Sequence, residues 1–454
     1  MEKFTLSEAA AWTSGRAVGE AEIASVSKNT DEIGEGCLFL GIKGERFDGH
    51  DFIPKATENG AVAVMSHRKD ETYSVPALYV DDTRQAILDL AGGYRDQFEC
   101  PVVAITGSVG KTTTRGMTAS VLSQRYDTCA TKGNLNNQLG LPLSVLTLEH
   151  HHDAAVFEMG MSGFGEIASM ADCAKPNIAV ITTIGTSHIE FLGSREGICR
   201  AKMEILFGLA ARGGIAVLNG DEPLLWDKRD EIFGRKIWFG TENPDCDVRA
   251  KDIVQTEDGV KFTAVTPDGE FAAQLHLPGT HNVGNALAAI AVGFLLGLDG
   301  EEIAAGLDAF QPEGRRQKLY AKNGFTIYED CYNASPDSMK AALKVLGTQT
   351  GRRFAVLGSL LELGGYAAEG HREAGRDAAQ NADAAYLYGA HAADMAEGAR
   401  EGGMKEENIQ IFDSHEALAA ALRAAAQEGD ALLFKGSRGM RMEQALGLFL
   451  GEEV

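Results

Sequence analysis

Paired cysteines are missing from this sequence, and so are the structures that depend on them. Its seven cysteines are scattered along the chain, odd in number, and none forms a Cys-x-x-Cys pair. This pattern argues against a disulfide framework and against a zinc site, and it predicts reduced thiols in a cytoplasmic protein.

An excess of basic residues and a long apolar run are missing as well. The 42 Lys and Arg residues face 65 Asp and Glu, so the net charge is −23, which argues against binding to nucleic acid or a membrane surface. The longest apolar stretch, Ala286 to Leu298, is too short to span a bilayer. The N-terminus has no basic segment followed by an apolar core. We therefore expect no signal peptide and no stable membrane insertion.

The length of 454 residues suggests about three domains at roughly 150 residues each. We predict an α/β protein with a small N-terminal domain over residues 1–83, a central domain over 84–311 with a mostly parallel sheet, and a C-terminal Rossmann-like domain over 312–454. Residues 311–324 are predicted to be a linker, and residues 237–277 alternate as antiparallel strands do.

The stretch from Pro101 to Thr118 contains the most informative motif. An apolar run, Val102 to Ile105, predicts a buried parallel strand, and a glycine turn, a lysine and three threonines follow it. Glycines let a backbone approach phosphates, a lysine adds a point charge, and a threonine hydroxyl can bind Mg²⁺. The match to the P-loop pattern is partial, because its first glycine falls on Ile105. An ordinary strand–helix turn with a surface lysine is the alternative.

Polar residues follow other predicted strands of the same region. Glu158 ends the strand from Ala154, and His188 follows the strand Ile178–Thr183. Ligands of open α/β sheets bind at the carboxyl ends of the strands, so these two side chains are candidate metal ligands near the phosphates. The loop from Thr131 to Pro142 holds three asparagines, which suit a polar ligand.

Taken together and in this order, the motifs of the chain resemble those of the Mur ligase family over nearly the whole length. The motifs are Thr106–Thr113, Gly133–Asn137, Glu158–Gly160, Gly185–His188, Ala201–Ile205, His281–Asn285, Arg316–Gln317 and Asp330–Pro336. The segment Lys43–Asp51 points to the branch of the family that adds D-alanyl-D-alanine.

The resemblance implies roles for these residues. Lys111 and the loop Thr106, Gly107, Ser108, Val109, Gly110, Thr112 and Thr113 would hold the phosphates of ATP, while Asn282, Arg316 and Asp330 would contact the nucleotide. Mg²⁺ would be held by Thr112, Glu158 and His188, with Lys202 carbamylated to help place a second ion. Lys111, Glu158, His188 and Lys202 would be the catalytic group, and the substrate contacts would be Lys43, Arg46, Asp48, Asn134, Asn137 and Asn333.

The implied reaction is an ATP-dependent amide ligation in peptidoglycan precursor synthesis. The carboxylate of a UDP-N-acetylmuramoyl-tripeptide would form an acyl phosphate, which the amine of D-alanyl-D-alanine then attacks. The N-terminal domain would bind the UDP end of that substrate, and closure of the third domain would exclude water from the acyl phosphate. We expect a monomer whose partners are small molecules.

The chain departs from the family pattern at two places. Lys28-Asn29-Thr30-Asp31 stands where Thr-Asp-Ser/Thr-Arg is usual, and Ser359 replaces the aspartate of a Gly-Asp-Met segment. The alternatives are another amide ligase of the family with altered substrates, such as a folate-glutamate ligase, or an ATP-binding protein without ligase turnover. A plain P-loop NTPase fits poorly with the separate first and third domains.

Overall fold

A computed structural model of the chain describes residues 1–44, 47–256 and 258–452. The strands form separate sheets in three successive regions of the chain, which is the three-domain α/β architecture that the sequence predicts. The boundaries at residues 83 and 311 stay predictions. Within the described ranges, every helix is too short or too polar to cross a membrane.

The N-terminal region forms a five-stranded sheet in the order β2-β7-β6-β5-β4, and β1 pairs with β3 beside it. Strands β5 and β6 are buried along their whole length, as the apolar runs at residues 38–40 and 61–65 predict. The elements are β1 (Phe4–Thr5), α1 (Leu6–Trp12), β2 (Arg16–Val18), β3 (Glu22–Ile23), β4 (Ser25–Ser27), β5 (Cys37–Leu40), α2 (Ile53–Glu58), β6 (Ala63–Ser66) and β7 (Ala77–Tyr79).

The central region forms a nine-stranded sheet in the order β16-β15-β14-β13-β12-β11-β8-β10-β9. Its elements are α3 (Thr83–Arg95), β8 (Val102–Thr106), α4 (Lys111–Leu122), β9 (Thr128–Ala130), α5 (Gly140–Val145), β10 (Ala154–Glu158), α6 (Glu166–Ala174), β11 (Ile178–Ile181), α7 (Ile189–Leu192), α8 (Arg195–Met203), β12 (Ile215–Asn219), α9 (Pro223–Trp226), β13 (Arg235–Gly240), β14 (Val248–Thr256), β15 (Gly259–Thr266), β16 (Gly269–Leu275), α10 (His281–Leu295) and α11 (Gly300–Ala309).

The middle strands of this sheet are buried because helices cover both of its faces. Val102 and Ala104 of β8 face a core that includes residues of α3 and α6, whereas Val103 and Ile105 face a core that includes residues of α4 and α10. A strand covered on both faces reads as a continuous apolar run, which is the pattern that predicted β8.

The register of the parallel strands brings the predicted site to one edge. Strand β8 lies between β11 and β10; Glu158 pairs with Ile105, and Ile181 pairs with Thr106. The phosphate loop, Glu158 and the segment after β11 therefore leave the sheet at the same carboxyl edge, as predicted.

Helix α4 begins at Lys111, directly after the glycine turn. One detail of the central region differs from the sequence-based predictions. Strand β13 pairs in parallel with β12 and β14, so only β14, β15 and β16 form the antiparallel part of the segment 237–277.

The third region forms a six-stranded sheet in the order β17-β18-β22-β19-β20-β21. The predicted linker is wrong in its second half, since residues 318–322 form an edge strand antiparallel to β18. The elements are β17 (Lys318–Lys322), β18 (Phe325–Asp330), α12 (Pro336–Gly347), β19 (Arg353–Gly358), α13 (Ala367–Asn381), β20 (Ala384–Tyr388), α14 (Ala392–Glu401), β21 (Ile409–Phe412), α15 (His415–Ala425), β22 (Ala431–Lys435) and α16 (Met442–Leu450).

Single turns of 3₁₀ helix connect several of these elements. They are Thr30–Glu32, Gly49–Phe52, Glu204–Leu206, Ala210–Arg212, Gly364–Tyr366, Glu406–Asn408 and Arg438–Met440.

Candidate active site

The glycine turn after β8 has the backbone of a phosphate loop. Gly107 and Gly110 adopt φ angles of 154° and 88°, which side-chain-bearing residues rarely take. A Cβ atom at Gly107 would overlap Thr182, and one at Gly110 would overlap Asn285. Glycine is therefore required at both positions by conformation and by space.

Some N–H groups of the loop and the helix start donate hydrogen bonds within the protein, and others are open to a ligand. The amide of Ser108 donates to the carbonyl of Thr183 at 2.9 Å, and the amide of Val109 donates to the Thr183 hydroxyl at 3.0 Å. The amides of Lys111, Thr112 and Thr113 open helix α4 and have no hydrogen-bond acceptor among the described residues. The first turn of a helix attracts anions, so these amides can receive a phosphate.

Lys111 folds back over the loop. Its Nζ donates to the carbonyl of Gly107 at 2.8 Å and to that of Ser108 at 3.4 Å. Burial lowers the pKa of Lys111, while the nearby Glu158 carboxylate opposes that change. Since neutral carbonyls are its hydrogen-bond partners, the ammonium charge is available to a phosphate.

Glu158 keeps one carboxylate oxygen free at the end of β10. Its Oε1 accepts a hydrogen bond from Asn136 Nδ2 at 2.8 Å. Its Oε2 is buried without a hydrogen-bond partner in the described structure. Arg115 Nε lies 3.7 Å from this oxygen, too far for a hydrogen bond. A buried carboxylate oxygen without a hydrogen bond costs free energy that a bound cation can offset, and Mg²⁺ prefers oxygen ligands. Thr112 lines the same cavity and offers a hydroxyl, so the residues present fit a magnesium ion.

His188 faces the third region across the cavity. It adopts a φ of 62°, and its Nδ1 lies 2.7 Å from Oε2 of Glu362, a residue with a φ of 63°. The contact with the His188 ring lowers the pKa of the Glu362 carboxyl. His188 lines the cavity beside the phosphate loop, and its Nδ1 lies close to this carboxylate without a hydrogen bond of good geometry.

Lys202 lies on α8 and is almost fully buried, with 1% of its surface exposed. Burial moves the pKa of Lys202 well below its usual value, and repulsion from Lys111 moves it further in the same direction. It forms no ion pair with any described carboxylate, and it does not line the cavity. An uncharged amine in this position is a nucleophile.

The central and third regions together enclose a cavity of about 360 Å³. Arg316 lies 3.7 Å from the centre of the Tyr332 ring, and Lys435 forms a buried ion pair with Asp330. The predicted site residues that line the cavity are Ser108, Val109, Gly110, Lys111, Thr112, Thr113, Asn134, Asn137, Glu158, His188, Arg316, Asp330 and Asn333.

Other predicted site residues lie outside this cavity. Thr106 is fully buried at the end of β8. Asn282 is also fully buried, and its amide donates to the carbonyl of Pro278 at 2.9 Å and to Gln317 Oε1 at 2.7 Å. In this conformation Asn282 therefore holds Gln317, which itself lines the cavity.

The predicted substrate contacts of the N-terminal region are away from the cavity as well. Lys43 is exposed, and its carbonyl accepts from Arg84. Asp48 accepts from the ring of His50 at 2.6 Å and from Arg68 at 2.9 Å, so its carboxylate holds its own loop. Arg46 lies outside the described residues.

Several residues that contact predicted site residues were not singled out from the sequence. Asn136 holds Glu158, Lys435 pairs with Asp330, Tyr332 lies under Arg316, and Arg115 approaches Glu158. Their position in the sequence could have identified them, since each lies within or beside one of the motifs named above or, in the case of Lys435, at the carboxyl end of a strand. What could not be read from the sequence is which of them touch.

One group of three potential metal-binding side chains lies elsewhere. In the part of the chain that the structure describes, Asp127, His151 and His152 place their ligand atoms within 4.8 Å of one another. They precede β9 and β10, at the edge of the sheet opposite to Glu158, so they do not belong to the cavity.

The two departures from the family pattern have distinct surroundings. Ser359 is buried inside the third region, where its hydroxyl accepts from the His391 amide at 3.0 Å and lies 3.4 Å from the Tyr388 carbonyl. Lys28 instead lines a second cavity, of about 480 Å³, between the N-terminal and central regions.

Family comparisons agree with this arrangement. The Mur ligase middle domain matches residues 105–293, the Mur ligase glutamate ligase domain matches 314–438, and the Mur ligase family catalytic domain matches 22–95. Together these matches extend over most of the chain.

Two relatives that match nearly the whole chain share one name. The UDP-N-acetylmuramoyl-tripeptide–D-alanyl-D-alanine ligase of Bacillus subtilis is 39% identical, over 93% of this chain and 92% of its own. The ligase of that name from Escherichia coli is 36% identical, over 98% of both chains. A crystal structure of MurF from Acinetobacter baumannii superimposes with a TM-score of 0.93 over both full chains at 32% identity.

A nucleotide complex is found among the solved neighbours. The MurF ligase of Thermotoga maritima, crystallised with ADP, has a TM-score of 0.83 and 32% identity, over 94% of this chain and 97% of its own. The phosphate loop, the cavity between two regions, the family matches and the full-length relatives lead to the same conclusion: this chain belongs to the Mur ligase family.

Proposed function

We propose that this protein is an ATP-dependent ligase that joins D-alanyl-D-alanine to UDP-N-acetylmuramoyl-tripeptide in cytoplasmic peptidoglycan precursor synthesis. The observation that carries the proposal is the 360 Å³ cavity, in which the phosphate loop of the central region faces Arg316 and Asn333 of the third region. The names of the full-length relatives specify the substrates.

The nucleotide end of the cavity suits phosphoryl transfer. The free amides at the start of α4 and the Lys111 ammonium group provide fixed positive charge for the β- and γ-phosphates, with Arg316 opposite. These cations matter more because the chain as a whole carries a net charge of −23. The protein contributes position and electrostatic stabilisation, which is what a phosphoryl transfer requires.

The proposed reaction has two steps. The terminal carboxylate oxygen of the tripeptide attacks the γ-phosphorus, the bond to the bridging oxygen breaks, and ADP leaves. The amine of D-alanyl-D-alanine then attacks the acyl carbon, phosphate leaves with the bonding pair, and the amine loses a proton. A free carboxylate is a poor electrophile, so ATP serves to install the leaving group.

Thr112, Glu158 and His188 are the proposed holders of magnesium. When bound, the ion neutralises charge on the phosphates. Support for this role comes from the free Oε2 of Glu158 beside the phosphate loop. His188 can take part through Nε2 while its Nδ1 stays close to Glu362, since a carboxylate often orients a metal-binding histidine in this way. We propose in addition that movement of the third region accompanies substrate binding.

Lys202 is proposed to be carbamylated. Its neutral amine would attack CO₂, form a C–N bond and release one proton, which converts a buried amine into a carboxylate. The low pKa of Lys202 supports this reaction, since a protonated lysine cannot attack CO₂. NMR of the protein under ¹³C-labelled CO₂ should show a carbamate carbon that is absent from Lys202→Ala.

The UDP end of the substrate is proposed to bind at the N-terminal region. The 480 Å³ cavity beside Lys28 and Asn29 opens between this region and residues Leu135 and Leu143 of the central one. Lys28 offers a positive charge for a diphosphate. Lys43 and Asp48 stay proposed substrate contacts on the neighbouring loop. We propose that the protein acts as a monomer, since both cavities are built within one chain.

The decisive experiment measures phosphate release from ATP and Mg²⁺ with UDP-N-acetylmuramoyl-tripeptide, with and without D-alanyl-D-alanine. Release that requires both substrates, with the pentapeptide product seen by mass spectrometry, is the expected result. Absence of release with this pair would overturn the proposed substrates.

The second candidate is another amide ligase of the family with altered substrates. The observation that favours it is Lys28, because this departure from the family pattern lines a cavity, whereas Ser359 is buried away from both cavities. A panel of nucleotide-linked acceptors and amine donors would distinguish the candidates by which pair supports phosphate release.

A further inference from the structure

Arg115 is a buried cation for which the proposed reaction has no use. It lies one turn after Lys111 on α4, and only 3% of its side chain is exposed. Its guanidinium group donates to the carbonyl of Thr131 and to both carboxylate oxygens of Glu313, at 3.1 and 2.7 Å. Its remaining nitrogen, Nε, faces Glu158.

Arg115 and Glu158 approach each other without forming a hydrogen bond. The distance from Arg115 Nε to Glu158 Oε2 is 3.7 Å, and both atoms are buried without a hydrogen-bond partner among the described residues. Charge-assisted hydrogen bonds of this kind are about 2.7–2.9 Å long. The guanidinium group thus stops roughly 1 Å short of the bond that would satisfy both atoms.

The ion pair with Glu313 fixes the position of the Arg115 guanidinium group. Glu313 lies between the end of α11 at Ala309 and the start of β17 at Lys318, on the segment that joins the central and third regions. Gln317 of the same segment lies 3.4 Å from the Thr113 hydroxyl and accepts from Asn282. The connecting segment therefore contacts α4 at two places, through Glu313 and through Gln317.

We infer that Glu313 holds Arg115 away from Glu158 and thereby keeps the Oε2 atom of Glu158 available to a divalent cation. Arg115 and Glu313 are positioning residues, which act on the cation through Glu158. The connecting segment and the cation site are coupled, because movement of Glu313 changes the position of Arg115. This inference rests on the proposed role of Glu158 in cation binding.

The physical basis is competition for one carboxylate oxygen. A buried guanidinium group that loses its carboxylate partner carries an uncompensated charge, which is strongly unfavourable. Apart from Glu313, the carboxylate oxygen near the guanidinium group of Arg115 is Glu158 Oε2, at 3.7 Å from Nε. Without Glu313, Arg115 closes that distance, and a divalent cation must then displace it.

The test measures Mn²⁺ binding in the presence of ADP by electron paramagnetic resonance, which requires no turnover. Glu313→Gln removes the charge but keeps the shape, and Glu313 is half-exposed, so this variant should fold. We expect its Mn²⁺ affinity to fall roughly 10-fold, the lower end of the range for losses of partners that orient metal ligands. The Mg²⁺ concentration for half-maximal activity should rise by the same factor.

A second variant tests the direction of the effect. Arg115→Met combined with Glu313→Gln removes the competing cation together with its partner, so Mn²⁺ affinity should return to that of the unaltered protein. Arg115→Lys serves as a check if the methionine variant folds poorly. Its side chain is shorter and carries an ammonium group in place of the planar guanidinium group. This variant too should bind Mn²⁺ at least as tightly as the unaltered protein.

Glu302→Gln is the matched control. Glu302 forms a two-pronged ion pair with Arg125, which follows the same helix, but this pair is exposed and distant from Glu158. Its loss should leave Mn²⁺ affinity unchanged.

The outcomes separate this inference from the function on which it rests. If Glu158→Gln weakens Mn²⁺ binding but Glu313→Gln does not, the coupling is wrong and the proposed role of Glu158 stands. If Glu158→Gln leaves Mn²⁺ binding intact, both are wrong. If the double variant binds Mn²⁺ as weakly as Glu313→Gln, competition by Arg115 is not the cause.

Discussion

The central and third regions both present polar side chains at the carboxyl edge of a parallel sheet, but they use them differently. In the central region, Glu158 Oε2 has no hydrogen-bond partner among the described residues, and the hydrogen bonds of Lys111 go only to carbonyls. In the third region, Lys435 pairs with Asp330, and Ser437 accepts from Leu361 while lying near the Ala334 carbonyl.

This difference separates two tasks. At the central edge, some charged and hydrogen-bonding groups lack partners in the part of the chain that the structure describes, which lowers stability until a ligand binds them. At the third edge these polar groups pair with one another and so contribute to the stability of their own region. Substitutions at the central edge should therefore change ligand binding and rate, whereas those at the third edge should first change stability.

The largest effect is expected at Lys111. Lys111→Ala should lower the rate of ADP formation by roughly 10²- to 10³-fold, the size of effect seen when one preorganised charge or donor is removed. The melting temperature should stay close to that of the unaltered protein, since only hydrogen bonds to two loop carbonyls are lost. Lys132→Ala, in the exposed loop after β9, is the control. A large loss of stability in Lys111→Ala would break the comparison.

Lys202 should show the next largest effect. Lys202→Ala should lower turnover by about 10- to 100-fold, as losses at the margin of a metal site do, with partial rescue by short carboxylates. The depressed pKa gives the pH dependence: as pH falls through the folded-state pKa of Lys202, the amine protonates and can no longer hold CO₂. The rescued variant should lose this component of the pH–rate profile. Full activity without rescue would contradict the assigned role.

At the third edge, the buried pair of Lys435 and Asp330 should dominate stability. Lys435→Met leaves a carboxylate that is about nine-tenths buried without its partner, so it should cost about 3–5 kcal/mol. Adding Asp330→Asn should recover most of that loss, as measured by calorimetric unfolding. If neither variant changes the unfolding of the third region, its edge is not held together as we describe.

The smallest effect is expected at Ser359. Ser359→Ala removes the hydroxyl that accepts from the His391 amide, and one such hydrogen bond contributes about 1 kcal/mol. The KM values for ATP and Mg²⁺ should not move, because Ser359 does not line the cavity. A rise in either KM would mean that Ser359 acts on the nucleotide or metal site and not only on stability.

Local patterns predicted the parts of the fold whose burial leaves a sequence signature. Fully buried runs such as Val102–Ile105 identified strands, and the polar residue after each run identified the edge that carries the site. The edge strand Lys318–Lys322 was missed because its exposed, charged residues resemble a linker.

Contacts between distant segments could not be predicted. Arg115 and Glu313 are 198 residues apart, and neither belongs to a pattern that names its partner. The same holds for His188 and Glu362, whose side chains meet only because the third region lies over the central sheet. The chemistry of a motif can be inferred from its own residues. Which hydrogen bonds and ion pairs each side chain forms depends on neighbours that the fold brings from distant parts of the chain.

Helix α10 has a consequence for how the protein matures on the ribosome. The chain passes through the antiparallel strands β14–β16 at one end of the central sheet and returns in α10, where Asn285 accepts from the hydroxyl of Thr114, 171 residues earlier. Asn285 also lies against Gly110 of the phosphate loop. At the usual rate of about 5 to 20 residues per second, roughly 9 to 35 seconds pass between synthesis of the loop and synthesis of its support. A nascent chain should therefore acquire affinity for ATP late and abruptly, once α10 has emerged.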